Sequence, residues 1–131
     1  MRGNPVIESH PDGYKVTWPG FKKAFALFDI EGTGVIVTDI FRDPAQPKGC
    51  AGPMLADAFI QAGARKPRTI RIANILDTQP TLRQLVTGIA PENTVLGGTL
   101  KNTVSTLGGR ITAWRQGMTR DKQWIEASIV Y

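Results

Sequence analysis

The alternation of apolar and polar residues along the chain predicts most of its secondary structure. It predicts strands at Tyr14–Trp18, Gly34–Phe41, Arg68–Leu76, Arg110–Gln116 and Gln123–Tyr131. Apolar residues at helical spacing predict helices at 21–28, Pro53–Gly63, Thr81–Gly88 and Thr94–Leu107. Residues 1–13 show no period, so we expect an irregular N-terminal arm followed by one domain at 14–131. This order predicts an α+β fold, a mixed sheet with packed helices and a C-terminal antiparallel hairpin.

The central segment of the chain is Gly34–Gly63, which combines a strand, a loop rich in Gly and Pro, and an amphipathic helix. Pro53 suits the first turn of the helix, and Gly63 suits the left-handed residue that follows it. Backbone N–H groups around Gly49–Gly52 are placed to face an anion at the helix N-terminus, with Lys48 beside them. This loop is therefore the first candidate binding element.

Composition and charge narrow the function classes. A chain of 131 residues fits one domain, and no apolar run approaches the roughly 20 residues that a membrane helix needs. One cysteine and one histidine argue against a disulfide framework and against a Cys/His zinc site. Residues 1–64 carry six Lys/Arg and seven Asp/Glu, a net charge of −1, whereas residues 65–131 carry ten and four, a net charge of +6. A basic second half suits RNA or an acidic protein partner, and a solvated basic surface is the alternative.

The loop Gln46–Ala51, with the sequence QPKGCA, matches the Q/R-x-x-G-x-G/A loop of GNAT-like acetyltransferases and lies between a strand and a helix as in that family. In that family the loop amides hold the pyrophosphate of acetyl-CoA. The resemblance implies an acyl-CoA-dependent N-acyltransferase with acetyl-CoA as its cofactor. The pattern before the loop predicts two strands and one helix, which is fewer strands than that family places there.

A second resemblance covers residues 34–131. Four segments look like the C-terminal toxin domains of polymorphic bacterial toxins of the contact-dependent inhibition and Rhs types: Gly49–Leu55, Ile70–Leu76, Leu96–Gly109 and Lys122–Tyr131. The resemblance implies a ribonuclease without a cofactor, acting on tRNA, and a one-to-one complex with an acidic immunity protein. It also implies secretion or surface display within a larger protein, and action in the cytoplasm of a target bacterium. This is the leading hypothesis, the acyltransferase is the alternative, and a non-catalytic interaction module is the third possibility.

The C-terminal hairpin holds most of the candidate residues for RNA cleavage. Metal-independent cleavage needs a base, an acid and cations at the phosphate, and a single histidine excludes a paired-histidine mechanism. We expect the hairpin to supply both catalytic groups (Thr112, Lys122, Glu126) and substrate-binding groups (Trp114, Arg115, Trp124). The tryptophans would stack on bases, and core packing is the alternative for each of them.

Two further candidates for substrate binding flank the central loop. Arg42 and Lys48 are expected to contact substrate phosphate, because Arg binds phosphate through two parallel hydrogen bonds and Lys acts as a point charge. Asn74 interrupts an apolar stripe and is expected to orient such a group, or to cap an exposed strand edge.

For three titratable residues, the sequence allows both a functional role and a passive one. His10 is a candidate general base because histidine side chains exchange protons near neutral pH, but it lies in the unpatterned arm, where an exposed idle histidine is the alternative. Asp39 lies in the apolar Gly34–Phe41 strand, where a carboxylate needs an arginine partner or a metal. Cys50 precedes a helix N-terminus, a position that lowers the pKa of a thiol, and an inert cysteine is the preferred interpretation.

Overall fold

The computed structural model describes residues 4–11, 13–76 and 79–131, which form one seven-stranded sheet and three α-helices. The strands are β1 Val6–His10, β2 Gly13–Trp18, β3 Phe21–Glu31, β4 Gly34–Phe41, β5 Thr69–Ile75, β6 Arg110–Thr119 and β7 Lys122–Val130. The helices are α1 Ala51–Gln61, α2 Pro80–Val86 and α3 Val95–Leu107, with a 3₁₀ turn at Pro91–Asn93. The strand order is β1-β2-β3-β4-β5-β7-β6, and β4 and β5 form the parallel pair. The prediction of a single mixed α/β domain is confirmed.

The hydrophobic core lies between one face of the sheet and helices α1 and α3. Phe59 of α1 is fully buried and meets the ring of Phe28 of β3 edge to face, with 5.1 Å between the ring centroids. The alternation along the strands supplies the opposite side of this core, with buried apolar residues at every second position: Val35, Val37, Ile70, Ile72, Ile125 and Ala127. Burial of these side chains is the main stabilising contribution to the fold.

The helix predicted at 21–28 is wrong, because this segment is the long strand β3. Ala24, Ala26 and Phe28 are buried on the core face, and β3 pairs with both β2 and β4. The spacing of four residues matches a helical stripe: Phe21, Ala24, Phe25 and Phe28. The segment is nevertheless a strand, because strands are available for pairing on both of its sides.

The irregular arm expected at residues 1–13 contains strand β1, which pairs antiparallel with β2 from Val6 opposite Thr17 to His10 opposite Gly13. Residues 1–3 and 12 of this arm lie outside the described residues. Four strands, rather than two strands and a helix, therefore precede the loop Gln46–Ala51.

Strands β4 and β5 part halfway along their length. Their paired residues run from Gly34 opposite Thr69 to Val37 opposite Ile72, and no pairing between them follows within the described residues. Both strands are irregular at this point. In β4 the register with β3 shifts so that Thr38 forms a bulge, and in β5 Asn74 has a positive φ of 54°. Because a bulge bends its strand, the two irregularities together open a gap between the strand ends.

The bulge at Thr38 also reverses the alternation of β4. Val37 lies opposite Phe28, whereas Asp39 lies opposite Leu27, so the residues after Thr38 exchange faces. A regular alternation along this strand predicts Val35, Val37 and Phe41 on one face, and the bulge makes that prediction wrong for Phe41. Phe41 stacks on Phe25 on the other face, with 4.6 Å between the ring centroids.

Candidate functional site

A cavity of about 540 Å³ lies where β4 and β5 part. Its walls are largely apolar and come from the ends of the strands and from helices α1 and α3, including Trp18, Phe25, Phe41, Met54, Leu55 and Leu96. The central loop supplies polar and cationic groups at the same cavity, through Arg42, Lys48 and Gly49. A cavity of this volume with an apolar lining and a few polar groups is typical of a site for a small molecule or cofactor.

The loop Gln46–Ala51 presents backbone N–H groups at the N-terminus of α1. Gly49 has a φ of 84°, and Cys50 follows in the right-handed helical conformation, a pairing that turns successive N–H groups toward one concave side. Within the described residues, no acceptor pairs with the N–H groups of Lys48, Gly49 and Ala51. Together with the positive end of the helix dipole, these donors have the chemistry that favours an anion.

Gln46 holds this loop from the inside. Its side chain is buried, its Oε1 accepts a hydrogen bond from the Asp43 N–H at 2.6 Å, and its Nε2 donates to Met54 Sδ at 3.1 Å. Arg42 Nη2 donates to the Gln46 carbonyl oxygen at 3.0 Å. Gln46 therefore shapes the loop, and Arg42 is held at the cavity with further donors on its guanidinium group.

Asp43 anchors the start of the loop to strand β3. Its carboxylate accepts hydrogen bonds from the Ala45 N–H at 2.8 Å and from the Lys23 N–H at 2.9 Å. These two hydrogen bonds to the charged form, first that from Ala45, lower the pKa of Asp43 below its ordinary value of 3.8. The ionised carboxylate therefore contributes to the position of the loop.

Gln79 spans the gap between the parted strands. Its Oε1 accepts a hydrogen bond from the Leu76 N–H at 2.9 Å, and its Nε2 donates to the Ile40 carbonyl oxygen at 3.3 Å. A side-chain amide thus occupies a place where a paired strand would have supplied a peptide group. Gln79 also lines the cavity.

A second cleft, about 730 Å³, meets the same gap through Thr38, Asp39 and Asn74. Its other lining residues include His10 and Asp29, so strand β1 and the bulges of β4 and β5 contribute to one concave surface. No group of three or more His, Cys, Asp or Glu in the part of the chain that the structure describes is arranged to hold a metal ion. Asp39 therefore has no partner ligands among these residues with which it could hold a metal ion.

Glu126 is held by two arginines on the face of the sheet opposite the helices. Its Oε1 accepts from Arg71 Nε at 3.1 Å, and its Oε2 accepts from Arg115 Nη2 at 2.6 Å and from Arg115 Nε at 3.0 Å. The Arg71 guanidinium group also stacks on the Trp124 ring, 3.8 Å from its centroid. This arrangement is a buried carboxylate neutralised by cations, which explains its burial without a catalytic role.

Arg115 and Trp124 thus belong to this cluster, whereas the hairpin candidates Trp114, Thr112 and Lys122 do not. Trp114 lies opposite Ala127 on the core face, whereas Trp124 lies on the opposite face. Thr112 is an exposed bulge residue whose hydroxyl donates to the Ser128 carbonyl oxygen at 3.4 Å, and Lys122 is exposed beside the hairpin turn.

His10 lies on β1, at the far edge of the sheet from this hairpin. Five strand spacings, about 24 Å in total, separate β1 from β7. His10 lines the same cleft as Asp39 and Asn74, and it lies far from Glu126.

No helix in the described part of the chain has the length and apolar character to cross a membrane.

No family model and no curated protein matches this chain. Among solved structures, it resembles the ribosomal-protein-S18-alanine N-acetyltransferase from Escherichia coli, with 16% sequence identity and a TM-score of 0.45 over 95% of this chain and 67% of that one. It also resembles a Bacillus subtilis acetyltransferase in complex with CoA, with 13% identity and a TM-score of 0.41 over 89% of this chain and 76% of that one.

The interpretation of the chain as a ribonuclease toxin is wrong, because these similar structures are acetyltransferases and neither is a toxin domain or an RNA endonuclease. The expectation of no cofactor is contradicted as well, since the Bacillus subtilis protein was solved with CoA. The four toxin-like segments coincide with α1, β5, α3 and β7. Their patterns reflect core packing, which many unrelated α/β domains share. An acidic partner for the basic second half stays a prediction.

Proposed function

We propose that this chain is an acyl-CoA-dependent N-acyltransferase, the function that the Gln46–Ala51 loop first suggested. The observation that carries the proposal is the coincidence of two features at one place. The unpartnered N–H groups of Lys48, Gly49 and Ala51 lie beside an apolar cavity, and that cavity lies at the gap between β4 and β5. An anionic head group fits the N–H groups, and an extended, largely apolar arm fits the cavity.

The residues at the loop match the chemistry of a pyrophosphate. The backbone donors and the helix N-terminus favour an anion, and the side chains of Arg42 and Lys48 add two cations at the same cavity. When bound, acyl-CoA would supply an acyl group activated as a thioester. The chain's own contribution is to hold the anionic end at the loop and to exclude water from the apolar part of the cavity.

The gap between the strands suits the amide-containing arm of CoA. The Ile40 carbonyl oxygen belongs to β4 and the Leu76 N–H directly follows β5, beyond the paired part of the two strands, and the side-chain amide of Gln79 bonds to both. An arm that carries amides can form the same kinds of hydrogen bond. The order of four strands, loop, helix and strand also provides the strands that the GNAT-like family places before its loop.

The second cleft is the place we assign to the acyl acceptor. It meets the gap through Thr38, Asp39 and Asn74, on the side of the sheet away from the core helices. Its carboxylates, among them Asp29 and Asp39, favour a cationic amine over an anionic acceptor.

Calorimetry with CoA and with acetyl-CoA tests the proposal directly. We expect both to bind the wild-type chain, and the double substitution Arg42→Met with Lys48→Met to weaken binding by about 10-fold or more, because two cations at the anion are lost. Lys101→Met is the matched control, since Lys101 is exposed on α3 and does not line the cavity. Its binding should equal that of the wild type.

Release of the free CoA thiol, measured with a panel of small amines and with basic peptides, then tests transfer itself. The proposal predicts release that depends on both acetyl-CoA and an amine. Absence of CoA and acetyl-CoA binding at millimolar concentration would overturn it.

A further inference from the structure

Trp18 contains a buried donor without a partner. The residue is 4% exposed, and in the described part of the chain its Nε1–H has no hydrogen-bond acceptor. Buried indole N–H groups usually find an acceptor, since an unpaired polar group away from water is unfavourable. Trp18 also lines the cavity between the parted strands. Its unpaired donor is therefore associated with a candidate binding site.

Trp18 lies in a largely apolar part of the fold. Trp18 ends strand β2 at a shift of register with β3, next to the Pro19–Gly20 turn. Leu55 and Leu96 belong to the same core cluster as Trp18, line the same cavity and have no acceptor on their side chains. A molecule that enters the cavity can provide one.

We propose that Trp18 donates its Nε1–H to a carbonyl oxygen of the ligand that fills this cavity. The inference rests on the proposed function, in which the ligand is an acyl-CoA. Two parts of that ligand carry the required chemistry: the amides of the arm and the carbonyl of the acyl group. In either case Trp18 is a binding residue. It favours a ligand that carries a carbonyl group in the part that lies in the apolar cavity.

Substitution of Trp18 by Phe keeps an aromatic ring and removes the donor. We expect the dissociation constant to rise by roughly 3- to 10-fold, the net value of one neutral hydrogen bond. A rise for CoA and acetyl-CoA alike assigns the bond to an amide of the arm, and a rise for acetyl-CoA alone assigns it to the acyl carbonyl. Trp124→Phe is the control, because Trp124 packs on Arg71 and does not line the cavity. Unchanged binding of both ligands to Trp18→Phe would overturn the inference.

The indole N–H resonance of Trp18 gives a second measurement on the unmodified protein. The chain has three tryptophans, so the three indole signals can be assigned with single Phe variants. The probe is S-acetyl-N-acetylcysteamine, which carries a thioester and an amide but no nucleotide. We expect it to shift the Trp18 signal downfield and to leave that of Trp124 in place.

The truncated probe separates failure of this inference from failure of the proposed function. A shift of the Trp18 signal with the probe, in a protein that does not bind CoA, supports the cavity donor and removes the acyl-CoA assignment. A protein that binds CoA while the Trp18 signal stays unchanged with every ligand overturns the inference and leaves the proposed function standing. Persistent exchange of that signal with a bound water in the presence of ligand overturns it too.

Discussion

The side-chain amide of Gln79 connects β4 to the residue that follows β5, beyond the point where these strands stop pairing, since its Nε2 lies 3.3 Å from the Ile40 carbonyl oxygen and its Oε1 lies 2.9 Å from the Leu76 nitrogen. A side chain thus satisfies two partly buried backbone groups where β4 and β5 part. The gap is a built feature of the fold, with its own hydrogen bonds.

Gln79→Leu should destabilise the protein by about 1–2 kcal/mol, because the Ile40 carbonyl and the Leu76 N–H lose their partner while the volume stays similar. Urea unfolding measures this. Gln61→Leu is the control, since Gln61 is exposed at the end of α1, and its effect should stay within about 0.5 kcal/mol. Equal effects of the two substitutions would show that the two hydrogen bonds of the Gln79 side chain do not contribute to stability.

Gly49→Ala should lower both stability and CoA affinity. Gly49 has a φ of 84°, so a side chain there costs about 1 kcal/mol, although no atom lies within 4 Å of the added Cβ. Gly63→Ala is the matched control, with a φ of 97° and the same open space, but at the other end of α1. Both variants should lose similar stability in urea, and Gly49→Ala alone should weaken CoA binding in calorimetry. A similar loss of affinity in both would contradict a role of the loop in binding.

Acid should loosen the loop through Asp43. The N–H groups of Ala45 and Lys23 hold the pKa of Asp43 below 3.8 in the folded protein. A lowered folded pKa means that the contribution to stability is present above about pH 3.8, the ordinary value, and is lost as the pH falls through the folded pKa. Urea unfolding between pH 6 and pH 2 should therefore show that the free energy of unfolding falls at the acid end. This fall should be smaller in Asp43→Asn. An identical pH dependence in the variant would contradict this assignment.

The two arginines at Glu126 should contribute unequally to stability. The Arg71 side chain is 26% exposed and stacks on Trp124, whereas that of Arg115 is 61% exposed. We expect Arg71→Met to cost about 1–2 kcal/mol and Arg115→Met less than about 1 kcal/mol, because exposed ion pairs are screened by solvent. Double-mutant cycles with Glu126→Gln, at low and high salt, measure both couplings. A larger coupling for Arg115 would contradict the assigned order.

The loop at the candidate site could be recognised from sequence because its chemistry is local. A Gly and Pro cluster between an apolar strand and an amphipathic helix places donors at a helix N-terminus, and Arg42 and Lys48 follow from their proximity in sequence. The same local patterns gave the C-terminal hairpin, but they did not show that Trp114 and Trp124 face opposite sides. That depends on which residues of β6 and β7 pair.

The missed strands had the largest effect on the interpretation of function. Residues 21–28 satisfy a helical spacing and a strand alternation together, and β1 shows no clear pattern because most of its residues are exposed. Prediction of only two strands before the loop leaves the acyltransferase without part of its sheet and favours the toxin interpretation. Pairing with neighbouring strands, which only the folded chain provides, settles both segments as strands.

By itself, the sequence determined the core helices α1 and α3, the central strand β4 and the loop that precedes α1, since these depend on apolar period and on residues close in the chain. Only the tertiary structure decided where β4 and β5 part, because a bulge is defined by register against a neighbouring strand. The parting of these strands leaves the cavity that Trp18 helps to line and gives the Gln79 amide its two backbone partners.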